Sequence, residues 1–427
     1  MNQEVKTTPL HAWHRDRGAN MAIFGGYEMP LWYPTGARRE HCTVLTHAGL
    51  FDTSHMACIL IEGPAAYELL QHCFSKDLDA CIGAKKTPLE DGRCAYGIFL
   101  NEEGETIDDA IVYRLHREQY MVIVNAGMGG TIAGHLAAHR GNRESTVTDL
   151  TDRIGKIDIQ GPLAGTILKK VIQRPETVFD RMPYFSFKGH FDARSPLAEA
   201  VRLNDGTPLL LSRTGYTGEF GFEIFLDPAH LVALWETIMD RGETAGLVAC
   251  GLAARDSLRA GAVLPLSHQD IGPWPFLNNP WPFALPYAPD RTGFTKAFIG
   301  AEALLHIADP EYTHAYAGFD LRKVSTHDTA VVVDSDGVEI GTVLTCATDM
   351  GIDRVDDRIF SITSPDKPDS FKPRGLCCGF IKVRKELPNG TVVQLRDNKR
   401  SVKVMITDDI RPDRTARRAL KDMVDDG

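Results

Sequence analysis

Three polar islands set in apolar sequence hold the residues that could do chemistry. The stretch Ser212-Arg213-Thr214-Gly215-Tyr216-Thr217-Gly218-Glu219-Phe220-Gly221-Phe222-Glu223 spaces three glycines three apart and runs into Ile224-Phe225-Leu226. It reads as a turn followed by a strand, since glycine adopts backbone conformations that residues with a Cβ avoid. Tyr216 and Glu223 are polar groups on and just after that turn. A Glu in an apolar strand is costly to bury without a partner, so alone Glu223 reads as a solvated side chain on an exposed strand face. The second island is Thr106-Ile107-Asp108-Asp109-Ala110-Ile111-Val112-Tyr113. Strand neighbours point to opposite faces, so one carboxylate can be solvated while the other faces inward as a candidate acid or base. Asp108 is assigned to the solvated hairpin turn that begins at Asn101. The third is Arg255-Asp256, in the helical-looking stretch Val248 to Arg259. Arg255 and Arg259, four apart, share a helix face. Either could clamp a carboxylate bidentately, or form an Arg–Asp pair on a solvated face.

Metal chemistry finds less support. His135 and His139 lie four apart and can share a helix face, but the Glu of H-E-x-x-H is missing and no third ligand is evident. The sequence predicts no metal. The nine cysteines form no C-x-x-C pair, which argues against a zinc ribbon or a thioredoxin-like site. Their odd count reads as reduced thiols.

The elements that must position these groups are mixed. Short strand-like runs occur at Ala57–Ile61, Tyr120–Val124, Leu209–Leu211 and Ala330–Val333. Turn signals such as Asp334-Ser335-Asp336-Gly337 and Pro388-Asn389-Gly390 recur between apolar runs, a strong hairpin cue. Asp227-Pro228 opens a helix with Leu231, Leu234, Trp235, Ile238 and Met239 on one stripe. Gly63-Pro64 and Gly129-Gly130 precede two more helices. The pattern predicts an α+β fold with antiparallel sheets, without the regular alternation of a nucleotide-binding sheet. Gly272 to Thr295 is too rich in proline for a regular helix. It is either an ordered connector packed on the surface or a source of aromatics for a pocket wall. From about Thr313 onward strands and turns predominate, which predicts a small C-terminal β domain.

At 427 residues, 43% hydrophobic and 24% charged, the composition is that of a globular protein of two or three domains. A net charge of −10 without a long basic run argues against general nucleic-acid binding. No segment approaches the roughly 20 apolar residues that span a bilayer. Met1 to Lys6 lacks the apolar core of a signal peptide. No membrane association and a cytoplasmic location are therefore expected.

Taken in order, the islands and several further motifs resemble the aminomethyltransferases, the T-proteins of the glycine cleavage system. The motifs are Thr8-Pro9-Leu10-His11, Phe24-Gly25-Gly26-Tyr27-Glu28-Met29-Pro30-Leu31, Ala48-Gly49-Leu50-Phe51-Asp52-Thr53-Ser54-His55-Met56, Ile107-Asp108-Asp109 and Val124-Asn125-Ala126. Gln160-Gly161-Pro162, Arg213 to Glu219, Gly251 to Asp256 and Phe298-Ile299-Gly300 complete them. The resemblance implies a three-lobed, cloverleaf-like chain around a central folate cavity. Residues 1–290 would form two folate-binding lobes, 291–312 a connector, and 313–427 a small C-terminal β-barrel. It further implies transfer of a one-carbon unit from the aminomethyl-lipoyl arm of an H-protein to tetrahydrofolate, with release of ammonia.

By position, Asp109 matches the catalytic Asp, and Glu223 and Arg255 match pterin-edge contacts. Tyr216 and Tyr184 match aromatic cavity residues, Asn125 and Val122 the strand beside the ring, and Met56 an apolar wall. Each also has a plain structural reading: Tyr184 as core, Asn125 as a cap for the following helix. Departures lie elsewhere. Gly261 stands where the family usually has a Glu, and Pro282-Phe283-Ala284-Leu285 where it has Glu-Ala-Gly-Leu. Tyr287 stands for an expected Trp, and the connector is longer. These changes bear on the second substrate, and they keep an alternative open: a tetrahydrofolate-dependent demethylase acting on a methylated amine or sulfonium compound. A non-catalytic folate-binding protein is a third reading, which the presence of Asp109 opposes.

Overall fold

The computed structural model describes residues 5–326 and 330–424. Met1 to Glu4, most of the segment read above for a signal, lies outside the described residues. Two larger sheets, a barrel and two two-stranded ribbons, Asn20–Phe24 with Tyr27–Trp32 and Ile352–Val355 with Arg358–Ser361, make up the described fold. The first sheet has six strands in the order Phe187–Gly189, Leu210–Ser212, Gly221–Leu226, Gly155–Gln160, Gly49–Asp52 and Val248–Cys250. Its neighbours are antiparallel except for the last, parallel pair. The second sheet is antiparallel, with five strands in the order Arg93–Leu100, Thr106–His116, Gln119–Val124, Ala57–Glu62 and Thr146–Asp149. It is contributed by the chain between Asp52 and Gly155, so it is inserted between two neighbouring strands of the first. The short links on either side hold the two sheets together.

Period-two alternation sets what each face does. On the six-stranded sheet, Ile157, Ile159, Phe222, Ile224 and Leu226 point to a core closed by the helix Leu231–Gly242. Leu231, Leu234, Trp235 and Ile238 are buried on that helix, as the apolar stripe predicts. On the five-stranded sheet, Ile59, Ile61, Val112, Val122 and Val124 face the helices Ala66–Cys73 and Gly129–Ala138. The opposite faces of the two sheets meet through Cys58, Tyr113, Met121, Ile123, Phe187, Leu210 and Phe225.

The C-terminal strands close a six-stranded barrel, Tyr312–Gly318, Leu376–Val383, Glu339–Asp349, Val331–Val333, Val392–Arg396 and Ser401–Ile406, with the last pairing back onto the first. The predicted α+β class with antiparallel sheets and a C-terminal β-barrel is therefore the observed one. Two local expectations change. Val248–Cys250 is a strand, and the helix begins only at Leu252. Gly251 separates them, packed so closely on the Leu31 carbonyl that a Cβ would overlap it. The proline-rich segment is only in part the surface connector expected: Phe283 and Pro289 to Thr292 are exposed. Phe276 and Trp281 are fully buried in a core shared with barrel residues Ala315, Ala347 and Phe380.

Candidate active site

The meeting faces of the two sheets carry a polar seam through the apolar contact. Strand Thr106–His116 supplies its first part. Asp109 shares a face with Tyr113, which lies at the inter-sheet contact, and is half-buried. Its Oδ2 accepts a hydrogen bond from Tyr96 Oη at 2.9 Å, and its Oδ1 accepts one from Asn125 Nδ2 at 2.6 Å. Burial, then the adjacent Asp108 carboxylate, push the Asp109 pKa up to about 7. Asp108 itself is fully buried, so the solvated-turn reading of that residue is wrong. Its carboxylate accepts from the Asn125 backbone N–H at 2.9 Å, Asn125 Nδ2 at 2.8 Å and Ser267 Oγ at 2.7 Å. The Asn125 amide thus bridges both carboxylates and makes no cap for the helix that follows.

The facing sheet supplies the second part. Glu223 is 6% exposed, which overturns its solvated reading. Its carboxylate accepts from Lys156 Nζ at 2.7 Å, Thr214 Oγ1 at 2.5 Å and Tyr113 Oη at 3.2 Å, the last reaching across from the other sheet. Lys156 Nζ also donates to Asp158 Oδ1 at 2.6 Å and to Thr53 Oγ1 at 3.1 Å. Burial would raise the Asp158 pKa, but the charges of Lys156 and Arg255 hold it below the usual carboxylate range.

Arg255, from helix Leu252–Gly261, donates from Nη1 to Asp158 Oδ2 at 2.8 Å. Its guanidinium lies 4.9 Å from the centre of the Tyr216 ring, a cation–π distance. Tyr216 Oη donates to the Pro265 carbonyl. Gly218 turns the preceding loop at φ +78°, where a Cβ would be strained. Neither arginine sits on a solvated face. Arg259 is buried and pairs with Asp270 at 2.5 Å, besides the half-exposed Asp256 at 2.7 Å.

Of the eight residues singled out by sequence, six fall on or beside this seam: Asp109, Asn125, Glu223, Arg255, Tyr216 and Tyr184. Tyr184 is half-buried between the guanidinium groups of Arg213, 6.0 Å away, and Arg417, 5.7 Å away, so it is not simply core. Met56 packs half-buried against the inter-sheet cluster. Val122 stands apart: its side chain is fully buried on the helix side of its sheet, opposite to Met121 and Ile123.

Tyr96, Tyr113, Lys156 and Asp158 escaped the sequence reading. The signal for the last two was Lys-Ile-Asp-Ile-Gln at 156–160, an alternation that looks like an amphipathic strand with one wet face. That polar face points inward instead.

Two of the departures can be placed. Gly261 is buried where a Cβ would overlap the Asp349 carboxylate. Asp349, from the barrel, fills that space and pairs with Arg411 at 2.5 Å and His41 at 2.9 Å. A carboxylate is therefore present beside Gly261, supplied by another strand. Phe283 is 53% exposed, and its ring centre lies 5.9 Å from that of Tyr96. It marks an open edge of the Asp109 end. Two surface cavities, of about 340 and 280 Å³, lie on the barrel and its Trp274–Lys382 flank, away from the seam.

Comparison with known proteins follows the same lines. The GCVT N-terminal domain family matches residues 10–274. An aminomethyltransferase from Natranaerobius thermophilus is 31% identical over 402 residues, 93% of this chain and 96% of that one. One from Streptomyces coelicolor is 39% identical over 268 residues, 63% of this chain and 66% of the relative. The crystal structure of glycine cleavage system aminomethyltransferase T from Bartonella henselae aligns with a TM-score of 0.73 at 27% identity, over 94% of this chain and 96% of that one. The chain belongs to the GCVT aminomethyltransferase family. Among the described residues, no helix is long and apolar enough to cross a membrane.

Proposed function

We propose that the chain is an aminomethyltransferase of glycine cleavage. It moves the one-carbon unit of an aminomethyl-lipoyl H-protein to tetrahydrofolate and releases ammonia. The observation that carries this reading is Asp109, a half-buried carboxylate with a pKa near 7 at one end of a polar seam between two sheets.

The residues present suit a flat, polar ligand with hydrogen-bonding edges. Asp109, Tyr96, Asn125, Tyr216 and Arg255 are all partly exposed while their polar atoms are engaged. Tetrahydrofolate, when bound, supplies the nitrogen nucleophile. Asp109, with one oxygen fixed by Tyr96 and the other by Asn125, holds or moves a proton at its carboxylate, and a pKa near 7 suits both directions. Arg255 keeps donors free after its bond to Asp158, so it can bind an acceptor edge while stacked on Tyr216. Glu223 accepts three protein hydrogen bonds, leaving about one of a carboxylate's roughly four acceptor sites for a ligand donor. Tyr184 and Met56 contribute wall surface. Val122 contributes through its main chain alone, given where its side chain points. Phe283, exposed beside Tyr96, offers apolar surface to the arm of the second substrate. A cytoplasmic setting belongs to the same proposal, on the odd count of nine scattered cysteines. No observation favours the demethylase.

The test is turnover of tetrahydrofolate with aminomethyl-loaded H-protein, following 5,10-methylenetetrahydrofolate and ammonia. Formation of both is expected. Bound tetrahydrofolate without either product would overturn the reading. Arg255→Ala should weaken tetrahydrofolate binding at least about tenfold, since a charged hydrogen bond contributes about 1.5–3 kcal/mol. Unaltered affinity would remove Arg255 from the site.

A further inference from the structure

On the far side of the five-stranded sheet, away from Asp109, two helices end close together. Ala66–Cys73 finishes with His72 and Cys73, and Gly129–Ala138 carries His135 and is followed by His139. Cys73 supplies the third ligand that the sequence alone did not reveal. One sulfur and one ring nitrogen from each of His135 and His139 all lie within 4.8 Å of one another. We propose that Cys73, His135 and His139 form a binding site for a borderline-soft divalent metal ion of the zinc type.

Two independent features point to a ligand there. His135 Nε2 is buried with no hydrogen-bond partner among the described residues. A buried polar atom left unsatisfied costs about 1–3 kcal/mol, and a metal ion held by His135 would satisfy it. His139 is already oriented by its other nitrogen. Nδ1 lies 2.9 Å from the His135 carbonyl, which accepts only if Nδ1 carries the proton. The lone pair then sits on Nε2, the arrangement that outer hydrogen bonds impose on metal-binding histidines.

The donor set argues for the metal. One thiolate with two imidazoles suits tetrahedral zinc at about 2.0–2.3 Å, and the spacing requires contraction by about 1 Å. Glu102 is a candidate for the fourth position. Its Oε1 lies 3.6 Å from His139 Nε2, and its side chain is 73% exposed and free to swing. With a thiolate and that carboxylate, a divalent ion makes a neutral site.

A thiol ligates as its thiolate, so the ion displaces the Cys73 proton and binding tightens as pH rises. Joining the ends of two helices on the far face of the sheet, the ion acts on stability and not on chemistry at Asp109.

Co2+ titration of the full chain, stripped with a chelator and free of a histidine tag, tests the site. The expected result is one ion per chain, with a thiolate-to-cobalt charge-transfer band and the visible absorption of tetrahedral cobalt. Cys73→Ser should abolish the charge-transfer band, and Cys81→Ser should leave it intact. His139→Gln, at a half-exposed position, should weaken binding at least about tenfold, the lower range for loss of even an outer partner. Zn2+ should compete with Co2+ and raise the melting temperature of the unmodified chain but not of Cys73→Ser. The proposal is overturned if the folded chain shows no such band, or if Cys73→Ser and His139→Gln bind as the unmodified chain does.

Discussion

At the scale of single residues, the site depends on two adjacent carboxylates in different settings. Asp108 is locked by Asn125 and Ser267, whereas Asp109 faces the seam with its pKa raised to about 7 by burial and by Asp108. If ionised Asp109 is needed to take a proton, kcat rises with pH along an acid limb centred near 7. Asp108→Asn removes the neighbouring charge and keeps the shape, so the limb should move to lower pH in a kcat profile. An unmoved limb would detach it from Asp109. The stability sign is opposite to that of a salt-bridged Asp. The unfolded Asp109 has its ordinary pKa near 3.8 and the folded one about 7. Between those values the folded state binds more protons, so this group's contribution to stability declines as pH rises through that window. The Asp pair was legible in sequence as two carboxylates on opposite strand faces. Which one was solvated was not, because that depends on a loop, Ser267, 159 residues away in the chain.

At the scale of elements, the strand Gly155–Gln160 does more than its sequence announced. Lys156 is nearly fully buried and pairs with both Glu223 and Asp158, while Arg255 supplies the second positive charge. Lys156→Met leaves two buried carboxylates short of a partner and should cost about 3–5 kcal/mol in urea unfolding, the range for breaking a buried ion pair. A loss within about 0.5 kcal/mol would mean that the seam admits enough water to screen those charges. Strands and helices were readable from periodicity, and the turn from its glycines. The polarity of a face was not: alternation states that two faces differ, not which one meets water. Here a second sheet covers the polar face.

At the scale of the whole molecule, the C-terminal barrel is tied to the sheets by a charged joint. The basic cluster Arg411-Pro412-Asp413-Arg414-Thr415-Ala416-Arg417-Arg418 reads in sequence either as a surface for the folate tail or an acidic partner or as a solvated terminal segment, yet Arg411 is fully buried. It pairs with Asp349 at 2.5 Å and Glu219 at 3.2 Å, and it donates to the Thr217 and Leu258 carbonyls. It thereby joins the barrel, the glycine-rich turn and the helix that carries Arg255. Arg411→Met should destabilise by about 3–5 kcal/mol and expose the segment after Ile406 to limited proteolysis. An unchanged cleavage pattern would show that apolar packing alone holds the joint. The α+β class and the terminal barrel were open to the sequence because they follow from local patterns. The joint was not, since its charges lie up to 192 positions apart in the chain and Gly261 gives no sign that Asp349 fills the space beside it.

The central claim, that Asp109 serves the transfer itself, is tested most directly by comparing Asp109→Asn with the unmodified chain. Tetrahydrofolate affinity and single-turnover ammonia release from aminomethyl-loaded H-protein would be measured at equal tetrahydrofolate occupancy. The amide keeps the shape and cannot take the proton. Affinity should therefore remain within about threefold while release slows by about 10²–10⁴, the usual contribution of a positioned acid or base. Ammonia release at the unmodified rate, with tetrahydrofolate bound, would contradict that role.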